Sequence, residues 1–293
     1  MPSPRLDRLL TLSLFRPLRN VVPAGCEGRL PVLMYHSISD RSEAGVAPYY
    51  RTATRPEVFA EQMALLKSEG WEAMSLAAGL RTLGSGETGR RKIVALTFDD
   101  GFRDFLTAAF PVLRQHGFTA TIYLPTAFIG EQPIQFKAHE CLAWDDVTEL
   151  HRAGIEFGSH TVNHPELVRL PWAEVEREVR DSKAEIERHL GAQVASFAYP
   201  YAFPRAEREF VSKLRRLLGE AGYENCVTTD IGRVRAGGDL LAIPRLPAND
   251  CDDAELLKAK LAGAYDWLAV PQRAVKALKR LVSPRKEAGS DGN

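Results

Sequence analysis

From about residue 30 to residue 268, short apolar runs alternate with amphipathic helical patterns, and this alternation restricts the fold more than any other feature of the chain. "LPVLMYH", "KIVALTF", "TATIYLP", "IEFGSH", "VASFAYPY", "YENCVTTD" and "LLAIPRL" read as strands. Between and after them lie "PEVFAEQMALLKSEG", "FLTAAFPVLRQHG", "AWDDVTELHRAG", "PWAEVEREVRDSKAEIERHLG", "RAEREFVSKLRRLLGEAG" and "DDAELLKAKLAGAYDWLA". These have apolar residues at helical spacing, and several carry start and stop signals such as the Pro56 opening and the Gly70, Gly117 and Gly154 ends. Strand, helix and strand in succession build parallel pairs, because a helix must carry the chain back over the sheet. About seven such units, with no glycine-rich dinucleotide turn, favour a closed (β/α) barrel over an open doubly wound sheet. A chain of 293 residues accommodates that barrel as a single domain.

The two ends differ from this pattern. Residues 1–29 form a candidate amphipathic segment whose apolar run, Leu9 to Phe15, is flanked by Arg8 and Arg16. That run is too short to span a bilayer and has no small-residue cleavage site after it, so no cleavable leader is expected. It reads as a helix packed on the domain, or as an interfacial segment touching a membrane surface. Residues 30–270 form the main domain. Residues 271–293 read as a basic helix followed by a disordered tail with little apolar content.

Charge excludes one class of partner. Lys plus Arg equals Asp plus Glu, 38 each, so no basic surface excess points to nucleic acid. The four cysteines, Cys26, Cys141, Cys226 and Cys251, are scattered without a CxxC pair. They read as reduced thiols, and the expected location is cytoplasmic, with peripheral contact to the cytoplasmic membrane face as an extension of it.

Polar residues gather where the strands end. "KIVALTF" stops at Asp99 and Asp100, two like charges that repel unless a cation or a proton sits between them. "IEFGS" leads into "HTVNH", with His160 and His164 four residues apart, a spacing that on a helical turn places both on one side. "VASFA" leads to Pro200 and Tyr201. In an α/β barrel the C-terminal strand ends are the catalytic face. One Asp with two His makes a three-ligand set that leaves positions open for water and substrate, as in hydrolytic zinc sites. The other aspartate is then free to accept a proton. Breaking an amide also requires an acid for the departing amine, and His36, at the end of another strand, is the candidate. The loop from Ser37 to Thr54, with Tyr49 and Tyr50, is a candidate cover for the mouth. Asp104 reads as a helix N-terminal residue, His139 as a surface residue, and the charge-rich 172–190 stretch as a solvated helix face.

With "TFDDG" at Thr97–Gly101 and "HTVNH" at His160–His164, the chain resembles the polysaccharide deacetylases, the NodB-homology or carbohydrate esterase type 4 enzymes. "FAYPYA" at Phe197–Ala202 is similar to their third motif, and the resemblance runs from about Pro31 to about Trp267. It implies a distorted (β/α) barrel and an Asp-His-His site for a divalent metal, most often zinc, with cobalt, manganese or nickel as alternatives. It also implies Asp99 as catalytic base, Asp100, His160 and His164 as metal ligands, and the Tyr201 main-chain N–H as oxyanion donor. The arginine usual before the Pro-Tyr pair is absent, and Arg245 in "AIPRLP" is expected to orient Asp99 instead. The C-terminal histidine motif is missing too. "PVLMYHSI" resembles the opening of the circularly permuted branch that deacetylates poly-N-acetylglucosamine, in which the acid histidine comes from the N-terminal side; this implies His36. The expected reaction is N-deacetylation of an acetylated carbohydrate or glycolipid. The alternatives are hydrolysis of cyclic amides, ureides or O-acetyl esters on the same fold, or a non-catalytic glycan-binding subunit.

Overall fold

The computed structural model describes residues 5–21, 28–87 and 91–282. The tail expected over 283–293 and the thiol of Cys26 lie outside these residues. Eight parallel strands form the main sheet: β1 (Val32–Tyr35), β2 (Trp71–Met74), β3 (Lys92–Phe98), β4 (Thr121–Leu124), β5 (Glu156–Ser159), β6 (Ser196–Ala198), β7 (Asn225–Ile231) and β8 (Ile243–Pro247). Seven of them close into a barrel in the order β1-β8-β7-β6-β5-β4-β3, and β3 pairs back onto β1 from Val32↔Ala95 to Tyr35↔Phe98. The expected single-domain barrel of about seven parallel strands is therefore what the chain forms.

β3 explains both the closure and the distortion. Every residue from Ile93 to Phe98 is buried, as in a strand covered on both faces. One edge of β3 pairs with β1. The other is divided: its first half pairs with β2, from Trp71↔Lys92 to Met74↔Ala95, and its last two residues pair with β4. β2 thus lies outside the ring. This strand and the helix after it, Leu76–Gly84, are additions to the sequence reading. "WEAM" is only four residues long and lacks a β-branched run, and the helix contains Gly79 close against Leu30.

Strand parity fixes what the barrel contains. Val32, Ile93, Ala95, Tyr123, Ala198, Val227 and Ile243 form the inner cluster, whereas Leu33, Tyr35, Leu96 and Phe98 pack outward against the helices. Side chains two apart along a strand share a face. Ile93, Ala95, Thr97 and Asp99 therefore point inward, and so do Ile243 and Arg245. Helices Pro56–Ser68, Phe110–His116, Trp144–Arg152, Trp172–Leu190, Arg208–Glu220 and Ala254–Ala262 surround the ring.

The N-terminal segment is helical from Leu6 to Val21, with a π turn over Thr11–Phe15. Its polar side meets the barrel. Arg5 donates to the Cys251 carbonyl at 2.5 Å and pairs with Asp252 at 3.2 Å, and Arg8 pairs with Asp253 at 2.6 Å. At the other end of the chain, helix Ala269–Val282 starts beside the barrel mouth through Gln272.

Candidate active site

The left-handed backbone marks the site. Among the described residues six non-glycine positions have positive φ: Asp100, Lys137, Ala138, Thr161, His164 and Tyr201. Four belong to the expected motifs, and the other two form a hairpin tip facing the same cleft. Each such conformation costs on the order of 1–3 kcal/mol and persists only where the surroundings impose it.

Asp99 continues the inward parity of β3, and at Asp100 the chain turns with φ of 70°, followed by Gly101 at 61°. A Cβ on Gly101 would also come within 2.9 Å of Leu124. This turn brings both carboxylates to one cleft while giving them different partners. Arg245, fully buried beneath the cleft, donates to Asp99 through two parallel bonds of 2.6 and 2.7 Å. The guanidinium is itself fixed by the Thr228 carbonyl at 3.1 Å and the Thr97 hydroxyl at 3.2 Å. Burial pushes the Asp99 carboxyl up, but the Arg245 charge and hydrogen bonds outweigh that and hold it far below the usual carboxylate range. Asp99 is therefore ionised at any ordinary pH.

Asp100 faces the histidines. His164 Nε2 lies 3.3 Å and His160 Nε2 3.8 Å from its Oδ1. One ligand atom from each of the three residues falls within 4.8 Å of the others. A tetrahedral ion with bonds of about 2.0–2.1 Å requires ligand atoms about 3.3–3.4 Å apart, so the set is close to the required spacing. His160 Nδ1–H donates to the Ala198 carbonyl at 2.8 Å, which turns its Nε2 lone pair toward Asp100. Burial lowers the pKa of both histidines, that of His164 to about 3 with help from neighbouring His160, so both are neutral and could serve a metal as ligands.

The histidine segment is not the helical turn that its spacing suggests. It is an irregular loop with φ of 70° at Thr161 and 55° at His164. Hydroxyl acceptors shape it: Ser159 Oγ takes the Thr161 N–H at 3.2 Å, and Thr161 Oγ1 takes the His164 N–H at 2.9 Å. Glu178 clamps the middle, accepting from the Val162 and Asn163 main-chain N–H groups at 2.8 and 2.9 Å and from the Asn163 amide at 2.7 Å. Glu178 belongs to the helix read as a solvated face. That reading holds for its outer side only, since Val175, Glu178, Val179, Ser182, Lys183 and Ile186 are buried.

His36 stands at the rim with Nε2 3.8 Å from Asp99 Oδ2, and burial lowers its pKa. Tyr201, half exposed, sets its ring 4.7 Å from that of His164, and its carbonyl accepts the Thr229 hydroxyl at 2.9 Å. His36, Asp99, Asp100, His160, His164 and Tyr201 line a cleft of about 380 Å³, together with Arg41, Glu43 and Thr52 from the polar loop expected at the mouth, and Arg245 lies beneath it.

Three neighbours were not read from the sequence as site residues. Lys137 reaches Asp100 at 2.9 and 3.1 Å and His164 at 3.4 Å, so its ammonium and a metal would meet at the same carboxylate. It sits at the tip of a hairpin whose turn residues, Lys-Ala, both have positive φ, where Asn-Gly is usual. His139, expected on the surface, stacks on Phe102 at 4.6 Å and lines the cleft. Asp104 stands at the start of helix Phe105–Ala109, as expected of a helix N-terminal residue, but its carboxylate makes no capping bond there; it accepts from the Ser37 hydroxyl and lies 3.8 Å from His139 Nδ1. A surplus of polar residues near the motifs was the only signal for these.

Comparison with known proteins agrees with this geometry. The sequence pattern of the polysaccharide deacetylase domain matches residues 86–225. The Bacillus subtilis protein YxkH is 28% identical over 218 residues, covering 74% of this chain and 71% of that protein. The poly-beta-1,6-N-acetyl-D-glucosamine N-deacetylase of Escherichia coli is 24% identical over 249 residues, 73% of this chain but only 36% of that enzyme. Among solved structures, the Streptococcus pyogenes deacetylase PplD in complex with acetate superposes with a TM-score of 0.67 at 28% identity, covering 80% of this chain and 98% of that one.

Proposed function

The chain belongs to the polysaccharide deacetylase family, hydrolases of carbon–nitrogen bonds other than peptide bonds, and from that premise we propose that it removes the N-acetyl group of an acetylated amino sugar with the help of a divalent metal. The observation that carries this reading is the division of the two carboxylates: Asp99 is locked to Arg245, and Asp100 faces two neutral histidines. A general base and a metal ligand are thus adjacent in the chain and separate in their electrostatics.

A divalent ion held by Asp100, His160 and His164, zinc first and cobalt, manganese or nickel as alternatives, would acidify a water and polarise the acetamide carbonyl. Asp99 takes the proton of the attacking water. Arg245 makes it a weak base but guarantees the ionised form, a workable combination once the water is acidified. The Tyr201 main-chain N–H serves the developing oxyanion. His36 acts in its imidazolium form, which burial opposes and the Asp99 charge 3.8 Å away favours. It gives that proton to the departing nitrogen, so that acetamide and water become amine and acetate, and the proton taken by Asp99 restores the pair.

An N-acetylglucosamine-type substrate, polymeric, oligomeric or lipid-linked, is supported by the activity that the E. coli relative is named for and by a cleft of about 380 Å³ over the paired carboxylates. The unpaired thiols of Cys141, Cys226 and Cys251 support a cytoplasmic location, which cell fractionation tests. A panel of N-acetylated amino sugars, O-acetylated xylan and cyclic ureides separates the substrate classes. Acetate with a stoichiometric free amine is the expected product pair. Ammonia from a ureide, or acetate from the ester alone, replaces this reading with the corresponding alternative, and activity on none of them leaves the binding-subunit reading.

A further inference from the structure

The N-terminal helix is mounted with its apolar side outward. Leu6, Leu9, Leu14 and Leu18 are 65%, 55%, 47% and 51% exposed. Leu10, Ser13 and Pro17 are also exposed, so the outward positions recur every three to four residues along the helix and only Ser13 among them is polar. The polar residues are turned toward the body instead. Arg8 and Arg16 pair with Asp253 and Glu255 at 2.6 and 2.5 Å, Asp7 accepts from the Tyr265 hydroxyl at 2.7 Å, and Thr11 accepts from Trp267 Nε1 at 3.0 Å. A helix that met only water would be expected the other way round.

We propose that this leucine face, with the basic helix Ala269–Val282 beside it, docks the protein onto an anionic lipid bilayer. Among the described residues no helix is long and apolar enough to cross a membrane, so the contact is with its surface. The ridge is about 18 Å long and about 10 Å wide, one helix face. That falls well short of the about 800 Å² per partner that a stable protein pair buries, which disfavours a second copy as the occupant. Aliphatic side chains suit acyl chains, and the sequence of the helix that starts just after Trp267 supplies positive charge for anionic headgroups. Helix Ala269–Val282 carries Arg273, Lys276, Lys279 and Arg280 and no acidic residue. The two helices are joined through Trp267, which stacks on Phe15 at 4.8 Å just before the basic helix begins.

The same surface borders the cleft. Asp252 and Asp253, which anchor the leucine helix, follow β8 at the C-terminal end of the barrel. Gln272, in the first turns of the basic helix, donates to the Thr229 carbonyl at 2.9 Å, and Thr229 bonds Tyr201 in the cleft wall. A protein seated on the bilayer in this way would meet acetylated groups carried at the lipid surface. The docking itself does not depend on the reaction proposed above.

The test is co-sedimentation of the full chain with vesicles of phosphatidylglycerol and phosphatidylcholine in equal parts, without substrate. The protein is expected to sediment with these vesicles, less with phosphatidylcholine alone, and less in high salt. The variant with Leu6, Leu9, Leu14 and Leu18 all replaced by Ser is expected to lose more than about tenfold in affinity at an unchanged melting temperature. Should that variant fail to fold, Leu14→Ser alone and the wild-type lipid dependence carry the test. A wild-type protein that stays in the supernatant overturns the proposal. So does a concentration-dependent dimer, seen by analytical ultracentrifugation, that the leucine substitutions dissolve.

Discussion

At the scale of single residues, the Asp99–Arg245 pair is the most consequential contact. Both side chains are buried and joined through two short hydrogen bonds, so removing the cation leaves an uncompensated carboxylate in the barrel. Arg245→Met is expected to destabilise the protein by about 3–5 kcal/mol in urea unfolding, whereas an exposed Arg8→Met should change it by less than about 1 kcal/mol. His160→Ala is expected to abolish stoichiometric metal binding, measured by competition with a chromophoric chelator. The residues behind these expectations were legible in "TFDDG" and "HTVNH", because hydrolytic chemistry needs particular side chains at fixed places on the strand tips. Arg245 was legible only as a replacement for a missing motif arginine, and the inward parity it shares with Asp99 supplies the physical reason. Lys137 was not legible: its reach to Asp100 depends on a strained hairpin whose Lys-Ala turn gives no hairpin signal.

At the scale of elements, the histidine loop depends on a helix far away in sequence. Glu178 accepts three N–H donors from Val162 and Asn163, and its place three residues after Val175 puts it on the inner side of Trp172–Leu190, a signal hidden when the whole stretch is read as a solvated face. Glu178→Ala leaves those donors without their acceptor. It is expected to weaken metal binding by about 10- to 100-fold with far-UV circular dichroism unchanged. The buried histidines give the metal-free protein a definite pH response. His164 has its folded-state pKa lowered to about 3, so the unfolded chain, titrating near the ordinary 6.5, binds the proton first. Stability of chelator-treated protein should therefore fall as pH drops from about 6.5 toward 3, by up to about 1.4 kcal/mol per pH unit for each such histidine. Denaturant midpoints across that range measure the slope, and a flat profile would contradict the buried neutral state. The alternating strands and helices were legible because both periods are strong. β2 and Leu76–Gly84 were not, because a four-residue strand outside the ring and a helix with a close-packed glycine lack either period.

At the scale of the whole molecule, barrel closure organises the chemistry. Pairing of β1 with β3 sets His36 beside Asp99, and the inward parity of β3 and β8 joins Asp99 to Arg245 from residues 146 apart in sequence. The histidine loop after β5 and Tyr201 after β6 complete the rim at the same end. A closed barrel was legible from the repeated units, but which strands close it was not, since pairing between the first and third strands is a tertiary fact. The central claim is that one carboxylate of the pair serves a metal and the other serves the proton. It is tested most directly by measuring acetate and free amine released from an N-acetylglucosamine oligomer by three preparations: chelator-stripped protein, the same protein reloaded with zinc, and zinc-loaded Asp99→Asn. The stripped protein is expected to be inactive and the reloaded protein active. Asp99→Asn is expected to bind zinc as tightly as the wild type while turning over at least about 100-fold more slowly. Full turnover by protein verified to be metal-free, or an Asp99→Asn variant as fast as the wild type, would contradict the account.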